Sequence, residues 1–233
     1  MGTVYIDNDV LHKMAAYGLL NDLLHARPWG ADCFCMLGAA RFIVAKKLRK
    51  QPPAHGLDNA LTEFEAALAK IAALEPSDDE IRLAADLEYA AQQLDVDLDA
   101  GESVLCAVLL YRGADYIFSG DKRAIIALQV LLDAAAVASE VRQRLVCLEQ
   151  LFLWLLQGEQ CERIRAAVCA EPAVDRALSN CFSCRSAGAT IESWREGLAS
   201  YIRYLARQAP DVLVAGPSFS GILHRGRTIR PLG

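Results

Sequence analysis

Apolar positions along the first half of the chain alternate between two periods. Val4-Tyr5-Ile6 is a short β-branched and aromatic run closed by Asp7, and the apolar residues from Val10 to Leu24 then recur at the spacing of one helix face. The unit returns at Cys33-Phe34-Cys35-Met36, followed after Gly38 by a helix over Ala39 to Lys50 that Pro52-Pro53 ends. Leu61 to Leu74 reads as a further helix. Pro76-Ser77-Asp78-Asp79-Glu80 opens another, running to about Leu94, with its acids where the helix dipole favours them.

Asp99 is placed as the N-cap of the next helix, whose apolar stretch covers Val104 to Tyr111. Tyr116-Ile117-Phe118 then reads as a strand, Ser119-Gly120-Asp121 as the turn at its end, and Lys122 as the start of another helix. Arg144 to Leu148 makes a last strand that leads into a helix over Glu149 to Gln157. Strands separated by helices of this length pair in parallel through crossovers, so the expected fold class is α/β with a central parallel sheet. Beyond Gly158 the only strand signal is Val212-Leu213-Val214. The chain therefore divides into a domain of residues 1–157 and a helical C-terminal extension, 158–233.

The composition, 54% hydrophobic and 23% charged, is that of a globular protein with an aliphatic core. The longest apolar run, Ala124 to Ala138, is broken by Gln129 and Asp133, which excludes a membrane partner, since a span needs roughly 18 clean residues. The opening residues carry no basic and apolar leader, so a cytoplasmic location and reduced thiols are expected for the eight cysteines. Cys181 and Cys184 have zinc-knuckle spacing that Cys161 and Cys169 could complete, but ordinary thiols are the expected state. His12, His25, His55 and His224 have no ligand or triad spacing. A net charge of −5 excludes nucleic-acid binding over the whole surface and confines any such site to a local cluster. One is Arg41, Lys46, Lys47, Arg49 and Lys50 on a single helix, and the other is Arg225, Arg227 and Arg230.

In a parallel sheet, residues just past the strands' C-terminal ends converge on one edge. Asp7 and Asp121 hold that position, and Glu102, one turn into the helix before the Tyr116 strand, can face the same edge. Any one of these acids alone is readable as a helix cap, and Asp99 with Glu102 has the spacing of a capping box. Three together fit a hard cation bound through oxygen, Mg²⁺ or Mn²⁺, and phosphoryl-transfer chemistry.

Tyr5-Ile6-Asp7-Asn8-Asp9-Val10-Leu11 resembles the opening strand of PIN domains. Leu98-Asp99-Ala100-Gly101-Glu102-Ser103, the apolar helix after it, and Ser119-Gly120-Asp121-Lys122-Arg123-Ala124 resemble the acid, helix, strand and Ser/Thr-x-Asp-Lys-Arg stretch of PIN-like proteins. The resemblance covers about residues 1–157. It implies a PIN-like three-layer fold and a metal-dependent endoribonuclease with Asp7, Glu102 and Asp121 as ligands, Asp9 nearby, and Ser119 supporting the site. Lys46, Lys47, Lys50, Lys122 and Arg123 are the cations expected to hold RNA. Many members of the family are toxins restrained by a partner, so an inhibitor protein, a complex partner or a second copy of the chain is a further expectation. The helix Ala39 to Lys50 carries no acid where the family usually places a Glu; Glu65 and Asp99 are the substitutes in view. A non-catalytic PIN-like binding module is the alternative that this departure supports. A haloacid-dehalogenase-like phosphatase using Asp7 and Asp9 is the enzymatic rival, though it leaves Glu102 without a role.

Overall fold

The computed structural model describes residues 2–215; the cluster Arg225, Arg227, Arg230 lies outside them. Five strands form one all-parallel sheet: β1 (Gly2–Ile6), β2 (Ala31–Leu37), β3 (Ile71–Leu74), β4 (Tyr116–Ser119) and β5 (Leu145–Cys147), in the order β3-β2-β1-β4-β5. Between and after them run α1 (Asn8–Ala16), α2 (Leu20–Ala26), α3 (Ala40–Lys50), α4 (Leu57–Leu68), α5 (Asp78–Gln93), α6 (Ala100–Arg112), α7 (Lys122–Asp133), α8 (Leu148–Leu155), α9 (Cys161–Ala170), α10 (Arg176–Cys181) and α11 (Ile191–Gln208).

Both sheet faces are covered, which is why the strands read as continuous apolar runs. Val4, Ile6, Phe34, Met36, Phe118 and Val146 point to one side, into a core shared with α1 to α4 and α8. Tyr5, Cys35, Ile117, Leu145 and Cys147 point to the other, against α5, α6 and α7. The α/β expectation holds.

Two of the expected elements are corrected. The apolar stretch Val10 to Leu24 is two helices, because Gly18 takes φ +65° and turns the chain between α1 and α2. The expected helix Leu61 to Leu74 ends at α4, and Ile71-Ala72-Ala73-Leu74 becomes the edge strand β3. Alanine favours helix locally. Pairing with Phe34 to Leu37 of β2 overrides that preference.

The extension is packed into the same body. Tyr17 at the end of α1, Phe152 of α8, Phe182 after α10 and Trp194 of α11 form a chain of aromatic contacts with centroids 5.7 to 6.0 Å apart. Val212-Leu213-Val214 returns to β5: Arg144 and Leu145 N–H donate to the Val212 carbonyl, and Val214 N–H donates to Leu145. Cys169 and Cys184 are joined in a disulfide, their Cα atoms 5.1 Å apart. That corrects the expectation of reduced thiols for this pair. It also excludes a four-sulfur zinc site, and Cys161 donates instead to the carbonyls of Leu156 and Gly158.

On the far side of the sheet, Arg112 at the end of α6 grips Glu80 with two hydrogen bonds of 2.7 Å and donates to the Glu75 carbonyl. Glu80 also closes the capping box of α5 with Ser77. Arg112→Ala should cost roughly 3 kcal/mol in urea unfolding, because it strands a buried carboxylate. A loss under about 0.5 kcal/mol would reduce the contact to an ordinary surface pair.

Candidate functional site

The chain runs from β1 to β2 and β3 on one side, then returns to place β4 on the other side of β1. Loops after β1 and β4 therefore diverge and leave a crevice at their C-terminal ends, where open α/β sheets bind ligands. Asp7 stands just past β1 and Asp121 just past β4. Glu102 enters from the first turn of α6. All three line one open cavity of about 620 Å³, together with Asp9, Asp99, Lys47 and Arg123.

Asp7 is 4% exposed. Its Oδ1 accepts from Val10 N–H at 2.6 Å, capping α1, and its Oδ2 accepts from Gly120 N–H at 2.9 Å, which ties the β4–α7 turn to the end of β1. The approach at Gly120 is close: a Cβ there would sit 3.1 Å from the side chain of Asp9, which would have to shift by a few tenths of an ångström. Burial pushes the Asp7 carboxyl up to about 6, with the Asp9 charge adding to it and the two N–H donors and Ser119 opposing it. Each Asp7 oxygen thus accepts one backbone donor and keeps lone-pair capacity facing the cavity.

Glu102 and Asp99 form the expected capping box: Asp99 N–H donates to Glu102 Oε2 at 3.1 Å, and Glu102 N–H donates to Asp99 Oδ1 at 3.1 Å. Burial, helped by the charges of Asp99, Asp121 and Asp7 and opposed by the Asp99 N–H, raises the Glu102 carboxyl to about 8. Asp121 behaves differently. It caps α7 through Arg123 N–H at 2.8 Å, and the Arg123 guanidinium reaches both its oxygens, at 2.8 and 3.3 Å. Burial works against ionisation there, but these Arg123 contacts outweigh it and hold the carboxyl below its ordinary range. The Ser119 hydroxyl braces the same turn, accepting from Asp121 N–H at 3.3 Å.

The donor chemistry fits a hard cation: carboxylates only, with Asp7 and Asp121 close enough for their charges to help raise Glu102. Their present spacing does not enclose one, for among the described residues no three His, Cys, Asp or Glu side chains are grouped to hold an ion. The positive charge beside Asp121 is the Arg123 guanidinium. Of the two acids in view for the missing family Glu, Asp99 lines the cavity, while Glu65 lies exposed on α4 outside it.

Among the expected RNA-holding cations, Lys47 lines the cavity, its Nζ 3.5 Å from Asp9 Oδ1. Lys46 and Lys50 are exposed on α3 beside it. Lys122 is not part of the cavity. It pairs with buried Glu149 and lies over the Tyr201 ring, because the turn of α7 that points Arg123 at Asp121 sends its neighbour toward α8 and α11.

One residue of the site has no counterpart in the sequence reading. Lys13 of α1, only 12% exposed, donates to Asp9 at 2.7 Å, to Asp175 at 2.9 Å and to the Gly120 carbonyl at 3.2 Å. Asp175 caps α10 in the extension, so the extension reaches the cavity's wall through a single ammonium group. The i, i+4 spacing of Asp9 and Lys13 was a legible signal; Asp175 left none.

Comparison with protein-family models, with curated proteins and with solved structures finds no match for this chain.

Proposed function

We propose that this protein is a PIN-like metal-dependent endoribonuclease whose site is the acidic cavity at the ends of β1 and β4. The observation that carries the reading is the convergence of Asp7, Glu102 and Asp121 on one open cavity at the crevice of a parallel sheet, with Glu102 raised to about 8 by burial and its acidic neighbours. Helix caps alone do not require a shared cavity. Asp7, Glu102 and Asp121 would hold Mg²⁺ or Mn²⁺, which supplies charge neutralisation and Lewis-acid activation of water.

The chain's own groups have separable roles. Asp7 and Ser119 fix the β4–α7 turn, so the separation of the two strand-end acids is set by backbone. Lys47 places a positive charge at the cavity wall, where a phosphodiester binds. Asp9, held by Lys13, presents a carboxylate that can accept a proton at Oδ1 or Oδ2 from an attacking water. The Arg123 clasp on Asp121 favours a second reading, a binding module in which arginine permanently replaces the cation.

An RNA cleavage assay with Mn²⁺ or Mg²⁺, with EDTA as control, separates the two. Metal-dependent cleavage is expected, and Arg123→Ala should tighten Mn²⁺ binding by about tenfold by releasing Asp121. No cleavage of any RNA, with Mn²⁺ affinity indifferent to Arg123, would establish the binding module.

A further inference from the structure

We infer that the outer face of α3 is a platform for single-stranded RNA, on which a base next to the bound phosphodiester stacks against Phe42. The inference rests on reading the cavity as a phosphodiester site. Phe42 is 70% exposed, the most exposed large hydrophobic side chain among the described residues. Nothing in the fold uses it: the buried side of α3 is Ala40, Val44 and Leu48. The same eleven-residue helix carries Arg41, Lys46, Lys47, Arg49 and Lys50 and no acid, in a chain of net charge −5. An apolar protein partner needs no such run of cations; a polyanion with aromatic faces needs both.

Placement along the helix gives the path. Ile43 and Lys47, one turn apart, line the acidic cavity, and Phe42 and Lys46 form the adjacent row. A strand with one phosphate at Lys47 has its next base beside Phe42 and its next phosphates beside Lys46 and Lys50. The Arg41 guanidinium lies 5.2 Å from the Phe42 centroid, bracing the ring from one side and leaving the other for a base. A duplex keeps its bases stacked inside and cannot use the ring, so the arrangement selects single strands.

The test measures binding in EDTA, where cleavage does not interfere, using a fluorescent oligoadenylate and a duplex of the same length. The full chain should prefer the single strand. Phe42→Ala should weaken oligoadenylate binding roughly tenfold with an unchanged salt slope, because stacking and not charge is lost. Phe42→Trp should retain affinity and show quenching of the new indole when RNA is added, whereas Phe42→Leu should not rescue. Lys46→Glu should instead reduce the slope. Equal affinity of wild type and Phe42→Ala overturns the inference and leaves α3 as a contact for a protein, as does full rescue by Leu. Absence of any RNA binding overturns both this inference and the nuclease reading. Phe42-dependent binding without metal-dependent cleavage supports the platform and removes only the nuclease.

Discussion

Replacing Glu102 by Gln is expected to reduce RNA cleavage roughly a thousandfold, the several kcal/mol that metal-borne charge stabilisation is worth, while making the metal-free protein more stable at pH 8. The two effects have one source. The carboxyl stands at about 8 in the fold against an ordinary value of 4.5. Between those values the folded chain keeps a proton that the unfolded chain has released, so stability falls as pH rises through the window, and the penalty is complete above 8. Discounted for solvent around a carboxyl that is only partly enclosed, it amounts to about 2 kcal/mol. Gln carries no charge and keeps an oxygen for the Asp99 N–H. In EDTA the variant and wild type should therefore melt together at pH 4.5, with the variant ahead by a margin that grows up to pH 8. Mn²⁺ should close the gap for wild type at pH 8, with release of a proton, and should leave the variant nearly unmoved. A constant gap across pH would remove the acidic repulsion, and equal Mn²⁺ shifts would remove Glu102 from the ligand set.

The second large effect is expected at Lys13. Lys13→Met should cost about 3 kcal/mol in urea unfolding, since it strands the half-buried Asp175 carboxylate and frees Asp9 and the Gly120 carbonyl. Burial opposes the charge on this ammonium, but Asp9 and Asp175 overcome that and raise its pKa above the ordinary 10.5. The pair's contribution is therefore whole below that value and fades only as pH climbs past the folded pKa. Cleavage should also fall, because Asp9 and the turn bearing Asp121 lose a common anchor. Adding Asp175→Asn should restore part of the stability but not the activity. A single-variant cost under about 0.5 kcal/mol, with no recovery in the double variant, would mean that the three contacts are independent and weak.

The features legible in the sequence are those that local chemistry decides. Asp7, Ser77, Asp99 and Asp121 declared helix starts because each side chain satisfies N–H groups within three residues of itself. β1, β2, β4 and β5 were legible as apolar runs, and their alternation with helices implied parallel pairing, hence the shared edge on which the three acids stand. What escaped was decided by distant partners. β3 is alanine-rich and becomes a strand only beside β2. The side to which Lys122 turns depends on Glu149 and Tyr201, and the Cys169–Cys184 link on how α9 meets the chain after α10. Asp175 lies far along the chain from Lys13, in the extension, and no spacing rule connects the two.

The return of Val212-Leu213-Val214 to β5 also imposes a timetable on synthesis. A chain emerging from its N-terminus completes the five-stranded sheet at Cys147, yet the outer backbone groups of β5 stay unpaired until α8 to α11 have been made and the segment around Leu213 arrives. At ribosomal rates of about 5 to 20 residues per second, that leaves several seconds with a bare strand open to pairing with another nascent chain. Because the acids at the ends of β1 and β4 precede this step, the cavity can assemble before the sheet beside it is sealed. Slowing translation after Cys147 would lengthen the interval in which β5 is open to such pairing.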